Sequence, residues 1–392
     1  MSTLSLPDYL SEDLICEALE CKRVLSVRVD RGASVGEHYL STLLRLTVDY
    51  SEADDGTRKT TSLIIKTFPE GVMHAFIKDF SLNEKEVIAS QKVLPSMEEL
   101  MGIKFMPRSL KCDRSDLLIL EDLKPLGFEM VDRISRMDLD HCKTALGALA
   151  DFHAASFLLH RKNPGLFEEV SRETMYVNSN IFQKSFILNS FKTMSDVFEE
   201  FDNLRKYSPR LRKAAENVWD KVVEAVLCRE EGLNVFNHGD FWTNNILFKH
   251  DDQGQILDTR FVDLQFCRFT SPAFDLQMLF YTSIRKVADI PQLTDVYLQR
   301  LNSRLPSQVQ LTKENFEKEL RRTDCFGLIV AVSLLPICTL DSKKALSFDN
   351  VTAEDYAKDF PNENPYAKSL KQPLFIEIIP QFLDHFIDIG AL

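Results

Sequence analysis

Between His238 and Asn245 the chain reads His-Gly-Asp-Phe-Trp-Thr-Asn-Asn, and further on it reads Val262-Asp263-Leu264-Gln265. Asp240 stands two residues after His238 and five before Asn245. An acid and an amide this close together share one loop, so both side chains can work on one substrate. Phosphoryl transfer asks for such a set: a group that orients the attacking hydroxyl, and oxygen ligands that hold magnesium on the phosphates. The intervening residues supply the return. Ile246 to Lys249 reads as a short strand, Asp251-Asp252-Gln253-Gly254 as its turn, and Arg260 to Asp263 as the strand back. A hairpin brings Asp263 to Asn245 as a second metal ligand. A chain built this way needs a scaffold that presents a loop and a hairpin to one cleft.

Much of that scaffold is bounded by size and charge. At 392 residues the chain exceeds one small core, and two lobes are the natural expectation. A net charge of −12 argues against nucleic acid or an anionic membrane as the main partner. The eight cysteines are scattered, with no C-x-x-C, which fits a reduced, cytoplasmic chain without a disulfide framework. The start, MSTLSLPDYLSEDL, carries acids and no apolar run, unlike a secretory signal. The most apolar stretch, Cys325 to Leu340, contains Pro336 and falls short of the roughly 18 unbroken apolar residues of a membrane span. It reads as a buried helix. No repeats or low-complexity segments are evident, and a monomer is expected.

The first third is strand-rich. Residues 7–23 are expected to form a helix capped by Ser11, with Glu12 and Asp13 in its first turn. Leu40, Thr42, Leu44, Leu46, Val48 and Tyr50 alternate with more polar residues, a period-two strand. After the Asp54-Asp55-Gly56 turn, a second strand from Thr60 to Phe68 carries Lys66 on the face of Ile64 and Phe68. A lysine on an apolar face needs an anion or a route to water. Gly32, Ser34 and Gly36 precede the first strand and suit either a plain turn or a backbone lid over phosphates. Residues 79–94 form the next helix, stopped by Pro95. Of Glu84 and Glu86, Glu86 is the better partner for Lys66. Phe105 to Asp113 and Asp116 to Leu123 read as strands. The second ends in Glu121-Asp122-Leu123 before Lys124-Pro125-Leu126-Gly127, a boundary signal. Backbone near Glu121 and Leu123 could meet an adenine there, or the acids could simply face solvent. The expected division is 1–122, a nucleotide-binding lobe, and 123–392, a catalytic and acceptor-binding lobe.

The remainder is helical. Leu146, Leu149, Ala150, His153 and Phe157 recur at helical spacing within 138–160, which puts His153 on an apolar face as a core residue. Phe182 to Phe201, Pro209 to Cys228 and a closing helix around 375–389 follow the same period. Asp275, in Ser271-Pro272-Ala273-Phe274-Asp275-Leu276, is expected to cap backbone amides of the central loop or to open the next helix. His238 is expected to brace that loop.

At this point the residues resemble a family. HGDFWTNNILF with FVDLQFCRFTSPAFDLQMLFYTS is similar to the insect ecdysteroid-kinase-like (CHK-kinase-like) family, in the choline-kinase and aminoglycoside-phosphotransferase branch of the protein-kinase-like fold. Leu120-Glu121-Asp122-Leu123 with Gly127-Phe128, and Ala150-Asp151-Phe152-His153-Ala154-Ala155-Ser156, support the match. The resemblance implies an α+β, bilobal chain with a strand-rich first lobe and a helical second. It implies an ATP- and Mg2+-dependent kinase that phosphorylates a small-molecule hydroxyl, with steroid hormones or xenobiotics as typical acceptors. By carry-over, Asp240 is the catalytic base, Asn245 and Asp263 bind magnesium, and Lys66, held by Glu86, meets the nucleotide phosphates. The chain departs from the family pattern at Phe241, Thr243, Leu264 and Ser90, none of which removes a catalytic group. A protein kinase would show H-R-D, D-F-G and A-P-E; here Gly239 replaces the arginine and no A-P-E appears. Alternatives are a choline- or ethanolamine-type kinase, a catalytically inactive ligand-binding relative, or a scaffold in which the motif is coincidental.

Overall fold

Alternation in Leu44, Leu46 and Val48 builds one face of an antiparallel sheet. In a computed structural model, which describes residues 5–32, 41–53, 57–67, 80–340 and 365–392, β1 (Arg23–Arg31), β2 (Thr42–Ser51), β3 (Lys59–Thr67) and β4 (Leu117–Glu121) pair in the order β1-β2-β3-β4. Leu46 lies opposite Leu63, and Lys66 lies between Leu43 and Leu118. Leu44, Leu46, Val48, Leu63, Ile65, Leu117 and Ile119 are buried with Ile15 and Ala18 of the Glu12–Leu19 helix. Each buried aliphatic side chain of this set contributes about 1.5–3 kcal/mol relative to exposure. Ser11 caps that helix, accepting from Leu14 N at 3.1 Å. The opposite face of the sheet, with Leu43, Arg45, Ile64, Lys66 and Leu120, roofs a cleft.

Several sequence expectations change here: the helix expected over 7–23 spans only Glu12–Leu19. β1 was not expected: its residues alternate weakly in burial, as an edge strand does. The helix expected to stop at Pro95 continues through it, as Leu82–Ile88, a π-helical segment Ala89–Val93 and Leu94–Met101. Pro95 stands at the start of the last segment, where the wider π turn relieves the clash between its ring and the preceding carbonyls. The same device recurs at Val330–Leu334, ahead of Pro336. Residues 105–113 do not form a full strand; Ser109 makes a single bridge to Leu120. Ser34, Gly36 and Phe68 lie outside the described residues.

The second part of the chain is helical, and the α+β class holds. The Leu139–Lys162 helix runs through its core, capped by Asp138, and packs against Ile290–Arg304. Asp151 ties the two, 2.7 Å from Arg300 and 2.8 Å from Arg304. The helix that carries Glu86 shares this core through Leu82, Ala89, Val93, Leu94 and Met97 rather than the core of the sheet. Cys325 to Leu340 is helical and largely buried, as its apolarity predicts. No helix among the described residues is long and apolar enough to cross a membrane. Two small sheets carry the central loop: β5 (Phe128–Met130), β7 (Ile246–His250) and β8 (Ile256–Phe261) in the order β5-β7-β8, and β6 (Val235–Asn237) with β9 (Arg268–Thr270).

Candidate active site

The His238–Asn245 loop leaves β6 and enters β7, and three sets of contacts fix its shape. Phe241 is buried against Phe261 of β8, ring centroids 4.9 Å apart and edge-on, a geometry that favours aromatic pairs. Gly239 adopts φ +85°, and a Cβ there would lie 2.0 Å from the Phe266 carbonyl oxygen. No side chain fits, which is why the arginine of H-R-D has no counterpart. Asp275, at the start of Ala273–Thr282, accepts from His238 N at 2.7 Å and Gly239 N at 2.8 Å. His153 Nε2 donates to the same carboxylate at 3.0 Å, and the Tyr297 hydroxyl meets His153 Nδ1 at 2.7 Å. Burial alone would raise Asp275, but these donors hold it below its ordinary value.

His238 has both ring nitrogens engaged. Nε2 lies 2.9 Å from the Val262 carbonyl, which can only accept, so Nε2 carries the proton; Nδ1 then accepts from Asp240 N at 3.3 Å. Burial lowers the histidine's pKa despite Asp275 and Asp263, so the ring is neutral and braces the loop.

Asp240 is partly buried. Asn245 Nδ2 donates to its Oδ2 at 2.8 Å and to its backbone oxygen at 2.8 Å, and Trp242 Nε1 donates to Oδ2 at 3.3 Å. Burial pushes Asp240 up to about 7, with the Asp263 charge adding and the Asn245 and Trp242 donors opposing. Asn245 O accepts from Val262 N at 3.0 Å, so the residue before Asp263 is stitched to the loop and the hairpin closes as its turn predicts. Asp263 holds φ +73°, a left-handed backbone that aspartate tolerates better than most residues.

Asp263 meets Lys66 from across the cleft. Lys66 Nζ lies 2.7 Å from Glu86 Oε2, 2.8 Å from Glu86 Oε1 and 3.0 Å from Asp263 Oδ1. Leu264 N donates to Glu86 Oε1 at 3.3 Å. One ammonium thus stands between two carboxylates. Burial opposes its charge, but Asp263 and Glu86 hold Lys66 above its ordinary value. Glu86 is pushed up to about 7 by burial, with Lys66 pulling it back and Asp263 adding. Glu84, the alternative on the same helix, makes no such contact.

Lys66, Glu86 and Asp263 border a cleft of about 610 Å3, within the usual range for small-molecule sites. Gly32, Leu43, Ile64, Lys66, Leu120, Glu121, Leu123, Phe128, Leu247 and Asp263 line it. Gly32 lies against β2: a Cβ there would meet Leu43 Cβ at 2.8 Å. Asp122 is taken up by Arg45 at 2.7 Å and Ser62 at 2.6 Å. The Glu121 N–H donates to Arg108 O at 2.9 Å. A larger cavity, about 750 Å3 beside Lys221 and Arg321, holds none of this chemistry.

Asn245 and Asp263 offer hard oxygen donors, as magnesium prefers. Among the described residues no group of three or more His, Cys, Asp or Glu side chains could hold a metal by itself. That donor set fits an ion shared between two side chains and a ligand's phosphates.

Three contributors were not singled out from the sequence. Trp242 reads as core but donates to Asp240. Tyr297 lies far along the chain, with no motif around it. Arg133, largely buried, donates to Ile337 O at 3.4 Å, while its Nη2 has no partner among the described residues. Burial raises the neighbouring Cys338 thiol; Asp240 adds to the rise and Arg133 opposes it. An orphaned buried guanidinium nitrogen is a signal only a structure can give.

A comparison with curated proteins returns no match. Among solved structures, the GDP complex of an aminoglycoside 2'-phosphotransferase-IIIa mutant is similar, with 12% identity, a TM-score of 0.48, and 96% of this chain and 98% of that chain covered. The choline kinase LicA from Streptococcus pneumoniae is similar at 14% identity and a TM-score of 0.42, covering 93% and 99%. The amicoumacin kinase hAmiN in complex with AMP-PNP, Ca2+ and Ami is similar at 13% identity and a TM-score of 0.42, covering 85% and 89%. The sequence pattern of the ecdysteroid kinase-like family matches residues 35–308, well over half the chain, and the chain belongs to that family.

Proposed function

We propose that this chain is an ATP-dependent kinase that transfers the γ-phosphoryl group to a hydroxyl of a small apolar acceptor, an ecdysteroid or a xenobiotic. The observation that carries the reading is that Lys66, Glu86 and Asp263 form one ion cluster lining a cleft, while Asn245, which bonds Asp240, is stitched through its backbone oxygen to Val262, the residue before Asp263. Asp240 accepts the acceptor's proton as its oxygen attacks the γ-phosphorus; the bond to the β-phosphate oxygen breaks, and ADP leaves with that electron pair. A carboxylate held near neutrality suits the task, because a large fraction is ionised at neutral pH while it stays basic enough to take a proton. Asn245 and Asp263 would hold magnesium, which would offset charge on the phosphates. Lys66, fixed by Glu86, faces the phosphates. Gly32, with Ser34 and Gly36, would cover them, and Glu121 and Leu123 would border the adenine.

The test is phosphate transfer from labelled ATP to a panel of ecdysteroids, plant steroids, phenolic glycosides and choline. Transfer to a steroid or phenolic hydroxyl is expected. Transfer to choline alone would replace the acceptor reading with the choline-kinase alternative. Magnesium-dependent ATP binding with no transfer to any acceptor would favour a ligand-binding relative.

A further inference from the structure

On the face of the sheet away from the cleft, the Glu12–Leu19 helix ends on Glu20, which takes a left-handed φ of 52°. Glu20 N donates to Glu17 O at 3.1 Å and Cys21 N to Cys16 O at 3.0 Å. That pair of bonds defines a helix terminus in which the residue after the left-handed one folds back onto the side chain five before it. Apolar side chains usually fill those two places. Here both are cysteines, and their sulfurs lie 2.9 Å apart. The Cys16 thiol also donates to Cys21 O at 2.7 Å. Both residues are partly exposed. All eight cysteines lie within the described residues, and no other two sulfurs are in contact.

We propose that Cys16 and Cys21 are a thiol–disulfide couple, a site of reversible oxidation by a low-molecular-weight disulfide such as glutathione disulfide. The backbone already holds the sulfurs together, so little chain entropy remains to be lost on closing the link. The Cys16 thiolate attacks one sulfur of the oxidant; the oxidant's S–S bond breaks and one glutathione thiolate leaves. Cys21 then loses its proton and attacks the Cys16 sulfur, and the second glutathione thiolate leaves. Two protein thiols and one glutathione disulfide become one protein disulfide and two glutathiones. Burial and the neighbouring Cys16 push Cys21 up to about 12, which suits Cys21 to the second, resolving step.

The experiment equilibrates the folded, full chain in buffers running from reduced to oxidised glutathione. Thiols are then trapped with N-ethylmaleimide and the protein is mapped by mass spectrometry without reductant. The peptide holding both cysteines is expected to lose both labels together, become lighter by two hydrogen atoms, and recover on reduction, while the other six cysteines keep their labels. Cys21→Ser should convert the product to a Cys16–glutathione adduct. Because the main readout is on the wild-type protein, a variant that fails to fold does not decide the matter. Independent labelling of Cys16 and Cys21 throughout, a stable glutathione adduct on the wild type, or a disulfide that forms only in denaturant would each overturn the proposal.

Discussion

Asp275→Asn is the sharpest perturbation of the loop, because it keeps the shape of the side chain and removes its charge. Asp275 Oδ2 serves two donors, His238 N at 2.7 Å and His153 Nε2 at 3.0 Å, and Oδ1 serves Gly239 N at 2.8 Å. The amide oxygen of asparagine will settle on the side with two donors. Its NH2 group then faces the Gly239 N–H, donor against donor. Losing one hydrogen bond to a charged acceptor and stranding a buried N–H costs about 3–5 kcal/mol. With an unfolding entropy of about 2.1 cal/mol/K per residue, a chain of this length unfolding as a unit should melt roughly 4–6 °C lower. The sign with pH follows from the wild type. Asp275 is held below its ordinary value in the fold, so its contribution is present at neutral pH and fades as pH falls through that lowered value. The two proteins should therefore converge in acid. Freed from Asp275, Gly239 no longer fixes Asp240, and phosphate transfer should fall about 10–100-fold. Magnesium–ATP affinity should hold, since Lys66, Glu86 and Asp263 do not touch Asp275. Thermal and urea unfolding read the first effect, transfer from labelled ATP the second, and calorimetry the third. A variant that melts with the wild type and transfers at its rate would refute the role given to Asp275.

Other residues yield simpler expectations. Asp240→Ala should lower transfer by about 10²–10⁴-fold while leaving nucleotide binding intact; steady transfer near the parent rate would remove Asp240 as the base. Because Asp240 is raised to about 7, its basic form is lost as pH drops, so kcat should decline below about pH 7; a flat profile from weakly acidic to weakly basic pH would contradict this. Lys66→Met leaves Glu86 and Asp263 facing each other without their shared cation, which should cost about 3–5 kcal/mol of stability at neutral pH. Both urea midpoint and nucleotide affinity should fall, and a variant as stable as the wild type would show that the ion pair contributes nothing net.

The legible parts of this site were the local ones. Asp240 and Asn245 share one loop, so sequence spacing translates directly into distance, and the Asp251–Gly254 turn made the return of Asp263 readable. Asp251 Oδ1 accepts from Gln253 N and Gln255 N at 2.9 and 2.8 Å, the bonds a turn aspartate is there to make. Lys66 with Glu86 was half legible: a lysine on an apolar face asks for an anion, but which glutamate answers depends on how a helix packs against a distant core. The His153–Asp275–Tyr297 chain was not legible as a unit. Each residue sits correctly on its own helix, yet their meeting depends on three helices crossing. β1 escaped because the break before it uses a left-handed Glu20 where glycine is the usual signal. The continuation through Pro95 escaped because a π turn leaves no mark on hydrophobic periodicity.

The charges of the cleft make a last demand of any ligand. Glu86 and Asp263 share one ammonium, Lys66, and the Asp240 charge lies close enough to Asp263 to be felt; a nucleoside triphosphate would add several more negative charges. At an effective dielectric near 20, each like-charge pair about 4 Å apart opposes binding by about 4 kcal/mol. A bare triphosphate should therefore bind poorly, and removing divalent metal with EDTA should lower ATP affinity by at least about 100-fold. General weakening by the chelator could mimic that result, so the discriminating comparison is Asp263→Asn, which tolerates the left-handed backbone and removes one of the opposing charges. With magnesium present, this variant should bind ATP more weakly than the wild type, because a metal ligand has been blunted. With EDTA present it should bind ATP more tightly, because a repulsive charge is gone. That reversal of sign, read by calorimetry under the two conditions, is not expected of a residue that only supports the fold. Loss of affinity by the same factor in both conditions would remove Asp263 from the metal site and leave it as a structural partner of Lys66.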